Sequence, residues 1–418
     1  AGTFSGLQDK TAYGYVKKYF EERGIDKRSC EIDRLVLGCT GVRRTTGQHP
    51  GGIIVLPRGE NIYTFTPIQH PANKESDIIT THFDYHSIDS NLLKLDMLGH
   101  DDPRMIKMLE DLTGLDATTI PLDDKEVMAL FMNTTSLKIE PSELWNDCDM
   151  GTLGIPEFGT DFAMGMLRDA KPKEFSDLVR ISGLSHGTDV WLNNAQDLIL
   201  EGTATISEAI CTRDDIMTYL ILKGLEPQDS FNIMEAVRKG KVAGNPTSDM
   251  WTESKQAMIE HDVPDWYIKS CEKIKYMFPK AHAVAYVMMA WRIGYYKINY
   301  PLAYYSAFFS IRAKAFNYEK MCQGKQAVES YLSEYDKKVA HAKENKLPGL
   351  SDKEDKEYGD MLLVQEMYAR GYEFLPIDLY KSDARYFKIE DGKIRPPFVS
   401  IDGMGETAAD TLMIAAAE

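Results

Sequence analysis

The sequence predicts an α+β protein that is mostly α-helical, and three observations support this fold class. Apolar stretches of strand length, bounded by Gly or Pro, occur in the first hundred residues. Beyond Gly99, apolar residues mostly recur at helical spacing after capping residues. The 418 residues are 43% hydrophobic and 27% charged, which suits a globular protein of two to four domains or subdomains.

The first hundred residues are predicted to mix helix and strand. An amphipathic helix is expected over residues 9–23, and a short buried strand over residues 53–57. The intervening loop, residues 39–52, holds four glycines and two adjacent arginines. Such a loop can hold an anion on its amides, although plain turn chemistry also explains it. A further strand is predicted over residues 80–85.

Residues 91–99, NLLKLDMLG, are nearly all apolar and predict another buried strand. Lys94 and Asp96 lie two residues apart, so both side chains leave the same face of that strand. A buried ionised pair is costly unless a metal or a phosphate offsets it. Two interpretations follow: a structural ion pair at the end of a strand, or a metal-binding carboxylate beside a lysine that faces a phosphate.

The rest of the chain is predicted to be largely helical. Residues 101–103 are expected to cap a helix over 104–113, and Asp123 or Asp124 a second over 126–132. Residues 181–191 interrupt the helical pattern with small polar residues around His186, as functional loops do.

Three later features carry cations or glycines. A helix over residues 227–239 leads into Arg238, Lys239 and Lys241, which suit either anion binding or a favourable C-terminal dipole. An apolar helix over residues 283–298 interleaves cations with aromatics, as in a nucleic-acid groove or an amphipathic helix. The turn with Gly403 and Gly405 opens an Ala-rich helix, like half of a helix-hairpin-helix that binds a phosphate backbone.

Charge and cysteine usage narrow the class of protein further. The net charge of −16 argues against nonspecific nucleic-acid or membrane binding by the whole surface, although it permits a local basic groove. Six scattered cysteines without a CxxC pair suit a reducing cytoplasm. A zinc site from Cys271, His261 and His282 lacks a tight ligand spacing. No apolar run of membrane-spanning length and no signal peptide is expected, and the chain is expected to be a piece of a longer one.

Five motifs together resemble one family, the PolC-type replicative DNA polymerases (C family) of low-GC Gram-positive bacteria. The motifs are residues 45–52 (TTGQHPGG), 82–86 (HFDYH), 93–103 (LKLDMLGHDDP), 183–191 (GLSHGTDVW) and 278–283 (FPKAHA). The resemblance runs from residue 1 to 418. It implies an incomplete palm of polymerase β type over residues 1–108, helical fingers over 109–345, and a connection and the start of a helix-hairpin-helix-like duplex-binding region over 346–418.

The resemblance also implies roles for residues at a polymerase site. Asp96 matches a palm carboxylate that binds one of two Mg²⁺ ions, and Lys94 a lysine near the incoming triphosphate. The residues implied to contact nucleotide phosphates are Lys94, Arg213, Arg238, Lys239, Lys241 and Lys280. Ser185 and His186 are implied to contact the incoming base, the template or a guanine-like inhibitor. Implied partners are primer–template DNA, a deoxynucleoside triphosphate, the sliding clamp and other replisome subunits, in the bacterial cytoplasm and at no membrane.

One departure from the family pattern limits these expectations. The family's other two palm carboxylates form an Asp-x-Asp pair upstream of the Asp96 strand, and no such strand precedes Asp96 here. Two-metal phosphoryl transfer needs such carboxylates around both cations. The chain is therefore expected to bind nucleotide without polymerising it. The alternatives are a non-catalytic DNA-binding or clamp-associated module, and a helical scaffold whose cations only cap helices.

Overall fold

The computed structural model describes residues 6, 10–42, 47–49, 51–71, 77–97 and 99–417, which divide into two compact units. Unit 1 is Ala1–Gly99 and unit 2 is His100–Glu418. The predicted class, α+β and mostly helical, is confirmed. The predicted domain boundaries at 108/109 and 345/346 stay predictions. None of the described helices is long and apolar enough to cross a membrane.

The described residues of unit 1 form two α-helices and two small antiparallel sheets. Its elements are α1 (Lys10–Glu21), α2 (Ser29–Gly38), β1 (Gly52–Val55), β2 (Ile68–Gln69), β3 (Thr80–Thr81) and β4 (Leu93–Asp96). The helices α1 and α2 pack through the buried Ala12, Ile32 and Val36. Strand β1 pairs with β4, and β2 pairs with β3. The predicted strand over 80–85 is thus shortened to two residues, because a 3₁₀ turn follows at Tyr85–Ser87.

The prediction that residues 91–99 form a buried strand is wrong in its burial. Leu93 is 61% exposed and Leu95 46% exposed, and their β1 partners Val55 and Ile53 are also exposed. Within the described residues, β4 pairs with β1 alone, and no layer covers this apolar face. The apolar residues therefore predicted the strand correctly, but they did not predict that its apolar side chains are exposed.

Unit 2 is a helical body with one small β-hairpin. Its elements are α3 (Asp101–Thr113), α4 (Lys125–Leu130), α5 (Asp161–Ala170), α6 (Phe175–His186), α7 (Gln196–Leu200), α8 (Arg213–Leu222), α9 (Pro227–Arg238), α10 (Lys241–Gly244), α11 (Asp249–Glu260), α12 (Asp265–Lys273), α13 (Lys280–Asn299), α14 (Pro301–Ala307), α15 (Tyr318–Met321), α16 (Lys325–Asn345), α17 (Asp352–Ala369), β5 (Lys388–Glu390), β6 (Lys393–Arg395) and α18 (Glu406–Ala417).

Two helix boundaries differ from the sequence-based expectation. His100, rather than residues 101–103, caps α3, because its Nδ1 accepts a hydrogen bond from the Asp102 N–H. Residues 181–186, expected in a loop, form the last turns of α6, whose apolar positions continue to Leu184. Asp124 caps α4 as predicted, with its carboxylate accepting from two backbone N–H groups.

Helix α13 lies in the core of unit 2, packed against α3, α4, α6, α8 and α14. Trp291 and Tyr296 are buried, and each donates a hydrogen bond to a backbone carbonyl of the 115–121 segment at 2.8 Å. Lys297 is also fully buried. Trp291, Tyr296 and Lys297 therefore belong to the core, which contradicts the nucleic-acid groove for these three side chains and favours the interpretation as an amphipathic helix.

Asp360 of α17 is a buried carboxylate whose charge opposes folding. Its Oδ2 accepts hydrogen bonds from the backbone N–H groups of Lys314 (2.9 Å) and Ala315 (2.6 Å). Burial nevertheless raises the pKa of Asp360 from 3.8 to about 6. Because the pKa is higher in the folded state, protonation of Asp360 stabilises the fold. This contribution is complete below the unfolded pKa of 3.8 and is lost as the pH rises through about 6.

We expect Asp360→Asn to stabilise unit 2 at pH 8 by about 1–3 kcal/mol, because the amide oxygen keeps both bonds without a buried charge. The check is urea unfolding at pH 8 and pH 4, followed by tryptophan fluorescence. The gain should shrink to a few tenths of a kcal/mol at pH 4, where Asp360 is protonated in the folded state and about half protonated in the unfolded state. A variant that is destabilised equally at both pH values would contradict the assignment.

Candidate functional site

In unit 1, Lys94 and Asp96 lie on one face of β4 as predicted. Lys94 Nζ is 3.5 Å from Asp96 Oδ1, and His49 Nε2 approaches the same oxygen at 3.9 Å. The Lys94 ammonium also lies 4.8 Å from the centre of the Tyr85 ring. A Cβ at Gly52, opposite Asp96, would meet His49 Nδ1 at 2.8 Å and Lys94 Cδ at 3.1 Å. Glycine is thus the residue that lets the side chains of His49 and Lys94 approach the carboxylate.

This donor set does not fit a pair of magnesium ions. Two-metal sites need several carboxylates, and Asp96 is here associated with a lysine and a histidine. In the described parts of the chain, no three His, Cys, Asp or Glu side chains are grouped so that they could hold a metal ion. The predicted glycine-rich loop includes residues 43–46 and 50, which lie outside the described residues.

In unit 2, residues 275–280 (KYMFPK) join the helix ends that carry most of the predicted site residues. The N–H of Thr188, just after α6, donates a hydrogen bond to the carbonyl of Tyr276 at 2.9 Å. The Met277 N–H donates to the carbonyl of Arg238 at 3.3 Å, and the Arg213 N–H donates to the carbonyl of Phe278 at 3.1 Å. We call residues 275–280 the central segment, because it brings the ends of α6 and α9 to the starts of α8 and α13.

Most predicted phosphate-binding cations already have carboxylate partners. Arg238 and Lys239 share Glu235, with Lys239 Nζ 2.7 Å from the carboxylate, and the bond from Arg238 does most to lower the Glu235 pKa to about 2. Arg213 lies 3.9 Å from Asp214, and Lys280 lies 3.7 Å from Asp215. Most of these side chains are partly exposed, and ion pairs at such positions contribute little to the stability of the fold. An anionic ligand can therefore compete with the carboxylates for the cations.

Lys241 differs from the other predicted phosphate ligands. It is exposed at the start of α10, and the described residues offer its ammonium neither an ion pair nor a hydrogen bond. The preceding Gly240 has a left-handed backbone with φ of 68°. That conformation starts a new helix directly after the last turn of α9, so Lys241 is held close to the central segment while its charge stays available.

Ser185 and His186 lie at the C-terminal end of α6. The His186 ring stacks on Phe278 of the central segment, with centroids 4.8 Å apart and 25° between the planes. The row of rings continues through His282 and Tyr286 to His100, at centroid distances of 4.6, 4.2 and 4.8 Å. The structure thus places the predicted base-contacting residues at one end of a row of aromatic rings.

The imidazole of His186 is bonded at both nitrogens. Its Nδ1 lies 2.8 Å from the carbonyl oxygen of Ser182 and 3.0 Å from Ser185 Oγ, and its Nε2 lies 3.1 Å from Glu157 Oε2. Nothing in the sequence indicated Glu157, because it is 29 residues before His186 and belongs to a turn without a motif. The FPKAHA motif contained Phe278 and His282, but nothing local revealed that they stack beside His186.

The predicted DNA-backbone residues lie at the start of the last helix. Gly403 has φ of 79° in the turn that leads to α18, and the Gly405 carbonyl accepts a hydrogen bond from the Ala409 N–H. The element before this turn is a 3₁₀ turn, Phe398–Ser400. The contact of Gly403 and Gly405 with DNA stays a prediction.

Comparison with known proteins agrees with the division of the chain. The family model of the bacterial DNA polymerase III alpha subunit NTPase domain matches residues 4–99, and that of the finger domain matches residues 102–262. Three relatives are the PolC-type DNA polymerases III of Caldanaerobacter subterraneus subsp. tengcongensis, Clostridium perfringens and Staphylococcus saprophyticus. Their sequences are 54%, 53% and 51% identical to this chain, over 413, 415 and 414 residues.

These alignments cover 99% of this chain but only 27–28% of each relative. The chain thus spans little more than a quarter of the length of the curated relatives it matches. The two family models agree with the alignments, since both describe parts of the same alpha subunit. The chain therefore belongs to the family of PolC-type DNA polymerases III.

Proposed function

We propose that this chain is the part of a replicative DNA-directed DNA polymerase that holds the incoming deoxynucleoside triphosphate and the template base. The observation that carries the proposal is the central segment, which joins the helix ends bearing Ser185, His186, Arg213, Arg238 and Lys280. Cations beside accessible rings suit a ligand with phosphates and a base. The parent protein adds deoxynucleotides to a primer 3′ end by two-metal phosphoryl transfer, in the bacterial cytoplasm with the sliding clamp and other replisome subunits.

Each group in the proposed site has a separate task. Lys241 and Lys280 attract the triphosphate, and Arg213 adds a guanidinium that can bind phosphate oxygens in bidentate geometry. Arg238 and Lys239 can exchange Glu235 for phosphate oxygens. Ser185 and the rings beside it contact the base or a guanine-like inhibitor.

The other predicted site residues belong to further parts of the polymerase site. Asp96 contributes one metal-binding carboxylate of the parent and Lys94 faces the triphosphate, while Gly403 and Gly405 contact the duplex backbone. Because Asp96 comes without the family's Asp-x-Asp pair, the chain binds nucleotide but does not polymerise it. Magnesium-dependent primer extension by the chain would contradict this part of the proposal.

We expect Lys241→Glu to weaken the binding of dGTP about tenfold, because it removes a cation that no carboxylate neutralises and adds a repelling charge. The measurement is calorimetric titration of the chain with dGTP. Lys343→Glu, an exposed lysine in the last turn of α16, makes the same change of charge and should leave the affinity within about twofold. Equal losses for the two variants would point to a general charge effect and contradict the site.

A measurement of primer–template binding beside dGTP binding distinguishes the proposed nucleotide site from a DNA-binding module. A chain that binds duplex DNA but shows no dGTP affinity at any accessible concentration would favour the module. Charge reversal at Arg238 and Lys239 without loss of dGTP affinity would instead favour a scaffold in which these cations only cap α9.

A further inference from the structure

Glu157 occupies a position that fold stability alone does not favour. Its backbone is left-handed, with φ of 71°, a conformation that costs a non-glycine residue about 1 kcal/mol. Its side chain is only 13% exposed, so the carboxylate has lost most of its hydration. Phe158, the next residue, is buried and packs edge-on against Phe131 with centroids 5.1 Å apart. The packing of Phe158 therefore anchors the turn from which the Glu157 side chain projects.

The carboxylate of Glu157 is fixed against one partner, the Nε2 atom of His186, at 3.1 Å. The other ring nitrogen lies 2.8 Å from the Ser182 carbonyl, and a carbonyl oxygen can only accept. Nδ1 therefore carries a hydrogen. It follows that Nε2 and the Glu157 carboxyl group share one further proton, as an imidazolium–carboxylate pair or as an imidazole bonded to a carboxylic acid.

The charges around this pair partly balance. Burial raises the pKa of Glu157; the cation of His186 opposes that rise, and Asp102 adds to it, while His100 and Arg312 lower it. Asp102 is itself buried and ion-paired with Arg312, and burial raises its pKa too.

Next to Phe278 in the row of rings, burial lowers the pKa of His282, and the charges of His186 and His100 lower it further. Glu157 is the carboxylate bonded to Nε2 of His186, so it is the anion that offsets a charge on that ring.

We propose that Glu157 is a positioning residue that keeps His186 protonated at Nε2 and holds its ring flat against Phe278. The inference rests on the proposed function, since the ring and Phe278 belong to the proposed base-binding site. A ring bonded at both nitrogens loses little freedom when a base packs beside it, which preorganises the site. His186 then acts on the base through its ring position and charge, not as a free hydrogen-bond donor.

The test is Glu157→Gln, which keeps the shape and removes the charge. In the chain with ¹⁵N-labelled histidine at pH 7, we expect the Nε2–H signal of His186 to be lost, because no carboxylate then holds a proton on that nitrogen. Nuclear Overhauser contacts between the His186 and Phe278 rings should weaken, and the affinity for dGTP should fall about three- to tenfold. The thermal midpoint should not fall, because a buried charge is removed.

Two further variants keep the test decisive. Glu157→Gly removes the carboxylate and relieves the left-handed backbone, so a loss of dGTP affinity together with an unchanged or raised thermal midpoint supports positioning. Asp391→Asn removes a carboxylate from another left-handed residue, with φ of 52°, in the β5–β6 hairpin. It should change neither the Nε2–H signal of His186 nor the affinity for dGTP.

An Nε2–H signal of His186 that persists in both Glu157 variants would overturn the positioning role. The proposed function can fail separately: a wild-type chain that binds no dGTP would overturn it, while the Nε2–H signal and the ring contacts still decide what Glu157 does to His186. Loss of the ring contacts with the Nε2–H signal unchanged would also overturn the proposal, since it would show packing rather than charge.

Discussion

Replacement of Lys297 by Met is expected to destabilise unit 2 by about 3–5 kcal/mol, because it leaves a buried carboxylate without its cation. Lys297 and Glu366 are both fully buried, with Nζ 2.8 Å from Oε1. The ammonium also donates to the carbonyl oxygens of Gly151 (2.8 Å) and Leu153 (2.6 Å), so it joins α13 to the turn before α5. Tyr305 donates a further bond to the same Glu366 oxygen at 2.6 Å.

The measurement is urea unfolding followed by tryptophan fluorescence, which reports on unit 2 because all five tryptophans lie beyond residue 100. The double variant Lys297→Met, Glu366→Gln should lose less than the single variant, since no ion is left unpaired. Lys343→Met, at an exposed lysine, should stay within about 0.5 kcal/mol of wild type. A single variant as stable as this control would contradict the assigned ion pair.

The helices were predictable from sequence where the signal is local. Asp124 caps α4, and Pro227 begins α9, because a cap or a first-turn proline acts on its own few residues. The family motifs likewise indicated Ser185, His186 and the 278–283 stretch as functional. Motif letters carry no distances, however, so the stacking of His186 on Phe278 became visible only in the structure.

Burial could not be read from apolarity, and two elements show opposite errors. Leu93 and Leu95 are apolar but exposed, because no described element covers that face of β4. Lys297 is charged but fully buried, because carbonyl oxygens and Glu366 from other elements surround its ammonium. In both cases the outcome depends on residues distant in sequence, which neither spacing nor composition records.

The Glu157–His186 contact was hidden for a related reason. The left-handed backbone and the burial of Glu157 both oppose folding. Neither turn propensity nor hydrophobic patterning therefore predicts a glutamate at this position. Residues that break local rules in this way mark candidate functional positions.

Replacement of Gly240 by Ala is expected to have the largest effect on the proposed site. A Cβ at Gly240 would lie 2.5 Å from the backbone oxygen of Lys275 and 3.1 Å from its Cα, so the central segment must move. The left-handed backbone adds strain, and together we expect a loss of about 2–4 kcal/mol in unit 2 stability. Since Lys241 follows directly and Phe278 lies in the displaced segment, dGTP affinity should fall about tenfold or more.

Gly202→Ala separates strain from displacement in this prediction. Gly202 has φ of 75°, close to that of Gly240, but a Cβ there meets nothing within 4 Å. This control should lose about 1–2 kcal/mol from strain alone and keep its dGTP affinity. Urea unfolding and calorimetric titration of both variants make the comparison. If Gly240→Ala binds dGTP as tightly as Gly202→Ala, the central segment can shift without harm, and its close fit against α9 does not hold the site in place.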